Sequence, residues 1–279
     1  MLPNFLVIGA QKSATSSVCD ILSMHPQCFM TEPKEPYFFS HDEVYAKGWD
    51  WYLSLFAGAS APGKKAIGEG STTYTQQWLY PRAVDRIREH VPGARLIYIA
   101  REPLSRIESH YLHLASKGGR EMREFNDAVR NYPAYIDNSL YTKQIDLYRH
   151  AGWPDERILV LFFEDFKHDT GGQMQRVYRF LGVDESFTTP PGWKAQHVSA
   201  EGRTDSGALR PLRKVPGFGA LRDGAPAPVK EALRRILKKP ITGRPEWDGA
   251  TRAWAVERLR DDSRAFLARY GKPADFWGI

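Results

Sequence analysis

The sequence predicts an α/β fold with a central parallel sheet flanked by helices. Three observations carry this. Short apolar, β-prone runs recur at residues 5–8 (FLVI), 95–100 (RLIYIA) and 157–163 (RILVLFF). Each is continuous enough to be a strand buried on both faces. Each is followed by a turn and then by apolar residues at helical spacing, and such alternation calls for a parallel sheet with right-handed crossovers. At 279 residues the chain is one large domain or two small ones, ample for a sizeable core.

The first strand, 5–8, is bounded by Gly9. A loop, 9–13, carries Lys12 and Ser13, and Thr15, Ser16 and Ser17 then open a helix with Val18, Ile21 and Leu22 at helical spacing. A strand, a tight loop with one lysine, and a helix start rich in hydroxyls make an anion site. Free backbone N–H groups and the positive end of the helix dipole point at its occupant. A phosphate or sulfate group suits it; the alternative is a capped turn with a surface lysine. It is not a Walker loop, which needs G-x-x-x-x-G-K-[ST]. Here Gly9 lies only three residues before Lys12, and Ala14 stands where a glycine is expected.

The first helix should end near Met24, before His25-Pro26, because a residue preceding proline avoids the helical region. His25 reads as a structural or capping residue. Residues 28–30 form a short strand. The loop 31–39 (TEPKEPYFF) follows, its two prolines fixing Lys34 and Glu35 between them. Such a loop after a strand of an α/β sheet lies where ligands bind. Glu35 is a candidate general base; the alternative is a surface pair with Lys34.

Residues 45–56 (YAKGWDWYLSLF) predict an aromatic amphipathic helix. Residues 66–74 predict a short strand ending in GEGS, and 80–90 a helix with Pro81 in its first turn. The strand 95–100 ends in Arg101, and the next helix carries Ile107, Tyr111 and Leu114 at helical spacing. Ser109 lies eight residues after Arg101, so the helix can return it to the strand end. An arginine fork with a hydroxyl suits a terminal phosphate. After the strand 157–163, residues 174–181 predict a helix. Residues 197–206 read as a polar loop containing Gly202 and Arg203. Residues 210–245 are rich in Pro, Gly, Lys and Arg, with one basic helix at 229–239. They read as an irregular lobe, either a solvated surface or an acceptor-binding lid. Residues 254–270 close the chain with an amphipathic helix.

Composition excludes several classes. The net charge of +6, from 39 basic and 33 acidic residues, suits an anionic ligand but does not by itself argue nucleic acid. Cys19 and Cys28 show no metal spacing and no disulfide framework, and two isolated thiols fit a reducing compartment. No apolar run approaches membrane-spanning length. The first residues lack the basic-then-apolar signature of a signal peptide. The reading is a cytoplasmic protein with no stable membrane insertion.

Four segments together resemble, in order, PAPS-dependent sulfotransferases of the heparan-sulfate-type and bacterial branch; PAPS is 3′-phosphoadenosine 5′-phosphosulfate. QKSATSS resembles the 5′-phosphosulfate loop, and EPKEPYFF the loop carrying that branch's catalytic glutamate. LIYIAREPLSRIESHY resembles the 3′-phosphate site, and HVSAEGRTDSG the late glycine–basic loop that closes over the nucleotide. The similarity runs through most of residues 4–205 and returns at DDSRAFLARYG. Three departures stand out: Ala14 for the usual glycine, Gly70 where glycosaminoglycan enzymes often carry lysine, and Tyr37 where several carry histidine.

The resemblance implies a P-loop-like three-layer fold in a single domain. Residues 4–205 would form the PAPS-binding core, 206–250 a basic lobe or lid, and 251–279 a C-terminal helix. It implies metal-free sulfuryl transfer to a small-molecule, lipid or carbohydrate acceptor. Lys12 would stabilise the leaving phosphate, and Glu35 would be the base. Lys12, Ser13, Ala14, Thr15, Ser16 and Ser17 would hold the 5′ end of the nucleotide, and Arg101, Ser109, Gly202 and Arg203 the 3′-phosphate. Tyr37, Glu69 and Tyr74 would line the acceptor side, with His25 and His110 as the alternatives to Glu35. The product would be PAP, 3′-phosphoadenosine 5′-phosphate. The acceptor and the oligomeric state, a homodimer included, stay open. Two rival classes are a nucleotide-dependent kinase and a non-catalytic polyanion-binding module. The kinase should show an acidic Mg²⁺ ligand at the strand end where this chain has Arg101.

Overall fold

The computed structural model describes residues 1–116, 121, 123–193 and 245–279, and the backbone of 203–205 and 238–240. Five strands form one parallel sheet: β1 (Phe5–Gly9), β2 (Cys28–Met30), β3 (Ala66–Gly70), β4 (Arg95–Ala100) and β5 (Ile158–Phe162). Their order is β2-β3-β1-β4-β5, so β1 lies at the centre with all five residues buried. From β1 the chain runs outward to β2; from β4 it runs the other way to β5. The connections therefore diverge between β1 and β4, and a ligand crevice opens at such a switch point, beyond the carboxyl ends of the strands.

The alternation of side chains along each strand makes three layers. Leu6, Ile8, Leu96 and Tyr98 share one core with Tyr52 of α3 (Trp49–Ser54), Ile87 of α4 (Ala83–His90), Ile145 of α8 (Tyr141–His150) and Phe266 of α11 (Gly249–Arg269). On the other face Phe5, Val7, Ile97 and Ile99 pack with Val18, Ile21 and Leu22 of α1 (Thr15–Met24) and Met174 and Val177 of α10 (Thr170–Leu181). A smaller core joins α11 to α5 (Pro103–Ser116), α6 (Phe125–Asn131) and α7 (Ala134–Asp137) through Ile107, Val129, Ile136 and Leu259. Truncating a fully buried residue of β1, such as Ile8→Ala, is expected to cost about 2–5 kcal/mol.

Several predicted elements change. The helix expected at 45–56 is two short ones, α2 (Asp42–Tyr45) and α3, because Gly48 takes a φ of 88° between them. The strand expected to end in GEGS does so, stopping at Gly70, and Thr72–Thr75 beyond it form a 3-10 turn. The helix expected from residue 80 begins at Ala83, after Pro81. Two helices begin earlier than apolar spacing predicted, because an aspartate caps each. Asp169 accepts from the Gly172 amide at 2.8 Å to start α10, and Asp248 from the Thr251 amide at 2.6 Å to start α11. Sequence reading passed over α6, α7 and α8. Within the basic helix expected at 229–239, Lys238 and Lys239 instead enter β7 (Lys238–Pro240), antiparallel to β6 (Arg203–Asp205). Lys239 precedes Pro240 and so avoids helical backbone. The rest of that expected helix, and most of the basic lobe, lie outside the described residues. Among the described residues no helix is long and apolar enough to cross a membrane.

Candidate functional site

The loop after β1 is shaped by close approach on both sides. The Ala10 amide donates to the Ile99 carbonyl at 2.9 Å, extending the β1–β4 seam past the strand. Thr75 Oγ1 donates to the Ile8 carbonyl at 3.1 Å, and a Cβ at Gly9 would lie 2.3 Å from that hydroxyl oxygen. Only glycine fits there. Beyond it, Lys12 and Ala14 both take left-handed backbone, with φ of 72° and 69°. The conformation that glycine would adopt freely is thus imposed on alanine, at a cost of about 1–2 kcal/mol for an L-residue. Tertiary contact holds it: Arg101 Nη1 donates to the Lys12 carbonyl at 3.0 Å.

Ala14 caps α1 without a side-chain hydrogen bond, leaving its first turn open to an external acceptor. The Ser13 hydroxyl is 0% exposed and has no hydrogen-bond partner among the described residues. An uncapped helix start, a buried orphan hydroxyl and two cations, Lys12 and Arg101, can together receive an anion. Arg101 is further fixed by Phe163, whose ring centroid lies 4.5 Å from its guanidinium carbon. Its carbonyl accepts from Tyr141 Oη at 2.6 Å. Ser109 lies on α5, 4% exposed. β6, which contains Arg203, runs beside α5. The Arg203 side chain and Gly202 lie outside the described residues. Sequence reading missed His113, whose Nδ1 lies 3.5 Å from Lys12 Nζ. Its spacing of four from Ser109, on one face of a helix, was the available signal.

The loop 31–39 separates Lys34 and Glu35, for which a surface pair was the alternative reading. Lys34 Nζ donates to Ser16 Oγ of α1 at 2.5 Å. Glu35 turns the other way: its Oε2 accepts from Tyr37 Oη at 2.7 Å and its Oε1 from Thr72 Oγ1 at 3.0 Å. Glu35 and Tyr37 both take left-handed backbone, with φ of 56° and 59°, while Phe38 and Phe39 are buried as anchors. Glu35 is half-buried and Thr15 and Ser17 are buried.

Glu69 and Tyr74, expected to line the acceptor side, are 0% and 1% exposed and lie behind the loop instead. Glu69 lies within β3 and Tyr74 in the 3-10 turn that follows it. Glu69 Oε1 accepts from Tyr74 Oη and from Tyr52 Oη, and its Oε2 from Ser71 Oγ at 2.8 Å. Burial pushes the Glu69 carboxyl up to about 7 although three hydroxyl donors favour its charge. The two alternative bases, His25 and His110, are both buried. His25 Nε2 lies 2.9 Å from the Asp184 carbonyl and its Nδ1 accepts from the Gln27 amide at 3.0 Å. His110 is buried, and burial with the Arg106 charge holds it well below the ordinary histidine range. Cys19 and Cys28 are free, and burial pushes both thiols up to about 12. Among the described residues no three His, Cys, Asp or Glu side chains gather as metal ligands would.

The model of the sulfotransferase family matches residues 68–188. Human bifunctional heparan sulfate N-deacetylase/N-sulfotransferase 2 is 32% identical over 199 residues, covering 65% of this chain and 22% of that protein. Mouse heparan sulfate glucosamine 3-O-sulfotransferase 3B1 is 30% identical over 198 residues, covering 67% of this chain and 48% of that protein. The chain thus spans between about a fifth and a half of the length of these relatives. The crystal structure of a sulfotransferase from Alicyclobacillus acidocaldarius shares the fold over 100% of both chains, with a TM-score of 0.65 and 23% identity. The sulfotransferase domain of the Synechococcus PCC 7002 olefin synthase shares it over 92% of this chain and 94% of that one, with a TM-score of 0.53 and 16% identity.

Proposed function

Because this chain belongs to the sulfotransferase family, we propose that it moves a sulfuryl group from PAPS to a hydroxyl or amine of a glycan, lipid or small-molecule acceptor. One observation carries the reading: the Arg101 guanidinium is hydrogen-bonded to the Lys12 carbonyl. The segment suited to a terminal phosphate and the segment suited to a phosphosulfate therefore meet in one crevice. The orphan Ser13 hydroxyl and the open start of α1 suit the 5′ end of such a nucleotide.

In this reading the acceptor oxygen or nitrogen attacks sulfur, the bond from sulfur to the 5′-phosphate oxygen breaks, and PAP leaves. Glu35 takes the acceptor proton. Lys12 meets the charge growing on the departing phosphate, a role commonly worth several kcal/mol. Ser13, Thr15, Ser16 and Ser17 hold the 5′ end, and Arg101 and Ser109 the 3′-phosphate, with Gly202 and Arg203 closing over it. Tyr37 orients Glu35 through the 2.7 Å hydrogen bond. Residues 4–205 form the catalytic core of one domain. A glycan acceptor is favoured by the relatives named for heparan sulfate.

The test is ligand-induced stabilisation followed by turnover. PAP should raise the melting temperature in proportion to its affinity, and AMP and ATP much less. Labelled PAPS with an acceptor panel should then yield a sulfated product. Stabilisation by ATP with Mg²⁺ but not by PAP would return the kinase reading. Stabilisation by PAP without any product would favour a binding module.

A further inference from the structure

We propose that Glu69 is a positioning residue for Glu35, acting through the Ser71 hydroxyl and the Tyr37 backbone. The inference rests on the reading of Glu35 as the base. Four contacts lie in series. Ser71 Oγ donates to Glu69 Oε2 at 2.8 Å. The Tyr37 amide donates to Ser71 Oγ at 3.2 Å. Tyr37 Oη returns to Glu35 Oε2 at 2.7 Å, and Thr72, next to Ser71, holds Glu35 Oε1 at 3.0 Å. Two consecutive residues after β3 thus link a buried carboxylate to the half-buried one.

Ser71 has one proton. While Glu69 is ionised that proton is committed to Oε2, and the serine lone pairs face the Tyr37 N–H. This contact helps hold Tyr37 at a φ of 59°, a backbone that a tyrosine rarely takes, and so aims its hydroxyl at Glu35. When Glu69 takes up a proton, its two oxygens are not equivalent. Oε1 already receives two tyrosine hydroxyls, and Oε2 only that of Ser71. The proton therefore settles on Oε2 at the least cost. Ser71 must then accept from Glu69, and its own proton swings toward the space it shares with the Tyr37 N–H. Protonation is felt at the loop, while the tyrosine side of the carboxyl is unchanged.

The groups facing Glu69 are Tyr52 of α3, Ser71 and Tyr74 beyond β3, Glu35 across the loop, Cys19 of α1 and Tyr148 of α8. None is a cation. Burial dominates and raises the Glu69 ionisation to about 7, with Glu35 adding to it. The relay is thus set at near-neutral pH.

The experiment labels tyrosines of the full chain with nitrogen-15 and follows the Tyr37 amide, assigned by its absence in Tyr37→Phe. A titration step near pH 7 is expected in the wild type. It should vanish in Glu69→Gln and Ser71→Ala and survive in Glu69→Asp. This readout needs no turnover, so it stands or falls apart from sulfuryl transfer. A flat Tyr37 amide in the wild type, or a step that persists in Glu69→Gln, would overturn the relay. Should Glu69→Gln fail to fold, Ser71→Ala, which removes one oxygen, carries the same comparison. With PAPS and an acceptor, Ser71→Ala should lower the single-turnover rate by about 10–100-fold, the scale of a misplaced catalytic group. PAP affinity should hold within about twofold, since none of the relay groups is among those assigned to the nucleotide, and the rate limb near pH 7 should be lost. An unchanged pH profile in Ser71→Ala would reduce Glu69 to a structural residue.

Discussion

A methyl group on Gly70 would stand 2.5 Å from the sulfur of Cys19 and 3.3 Å from Cβ of Val7. The position where related glycosaminoglycan enzymes often carry lysine is therefore closed in this chain by the cysteine of α1. Gly70→Ala should cost about 1–3 kcal/mol of stability by overpacking. Cys19→Ala in the same chain should recover at least half of that loss. A double-mutant cycle by urea denaturation measures the coupling; additive losses would mean that Cys19 does not fill the space.

Arg101 is expected to act twice, on the Lys12 loop and on the 3′-phosphate. Arg101→Ala should weaken PAP binding by roughly 1.5–3 kcal/mol, the range for charge-assisted hydrogen bonds. Calorimetric titration should show AMP binding reduced much less. Equal losses for PAP and AMP would assign Arg101 to the loop alone.

Glu35→Gln should leave PAP affinity nearly unchanged, because a base on the acceptor side does not hold the nucleotide. Single-turnover sulfation at saturating PAPS should fall by about 10²–10⁴, the usual contribution of a general base. Lys12→Ala should instead lose rate and donor affinity together. A Glu35→Gln rate within about fivefold of wild type would remove Glu35 from the base role, given that range.

The buried Glu69 also links stability to pH. Its folded-state value of about 7 lies above the ordinary 4.5, so between these pH values the folded chain keeps a proton that the unfolded chain has lost. The corresponding stability is fully present below pH 4.5 and is lost as pH rises through 7. At 1.36 kcal/mol per unit the full effect is on the order of 3 kcal/mol. Urea midpoints of wild type and Glu69→Gln should therefore diverge across that interval. Parallel curves would mean that Glu69 titrates alike in both states.

Much of the candidate donor side is legible in the sequence because it is local. The run 5–8, the single lysine and the three hydroxyls of Thr15, Ser16 and Ser17 lie within thirteen residues. Periodicity alone brackets the strand and the helix start around them. The pairing of Arg101 with that loop needed one further inference, that β1 and β4 are neighbours. Phe38 and Phe39 were legible as anchors from their apolar character. Helices α6, α7 and α8 were not, because short helices with mixed polarity show weak periodicity and draw their order from packing on α5 and α11.

What the sequence determined by itself is the set of strand–turn–helix units and the chemistry each carries at its turn, since backbone preference and apolar period act over a few residues. The tertiary structure decided which way side chains face once those units are stacked. Lys34 and Glu35 are neighbours in sequence, yet one meets Ser16 and the other Thr72 and Tyr37. Glu69 and Tyr74, which could equally have faced an acceptor, are turned into the core, where burial sets the ionisation of Glu69. His113 reaches Lys12 across about a hundred residues of chain. These outcomes depend on sheet order and on the two faces of β3, which sequence spacing does not encode.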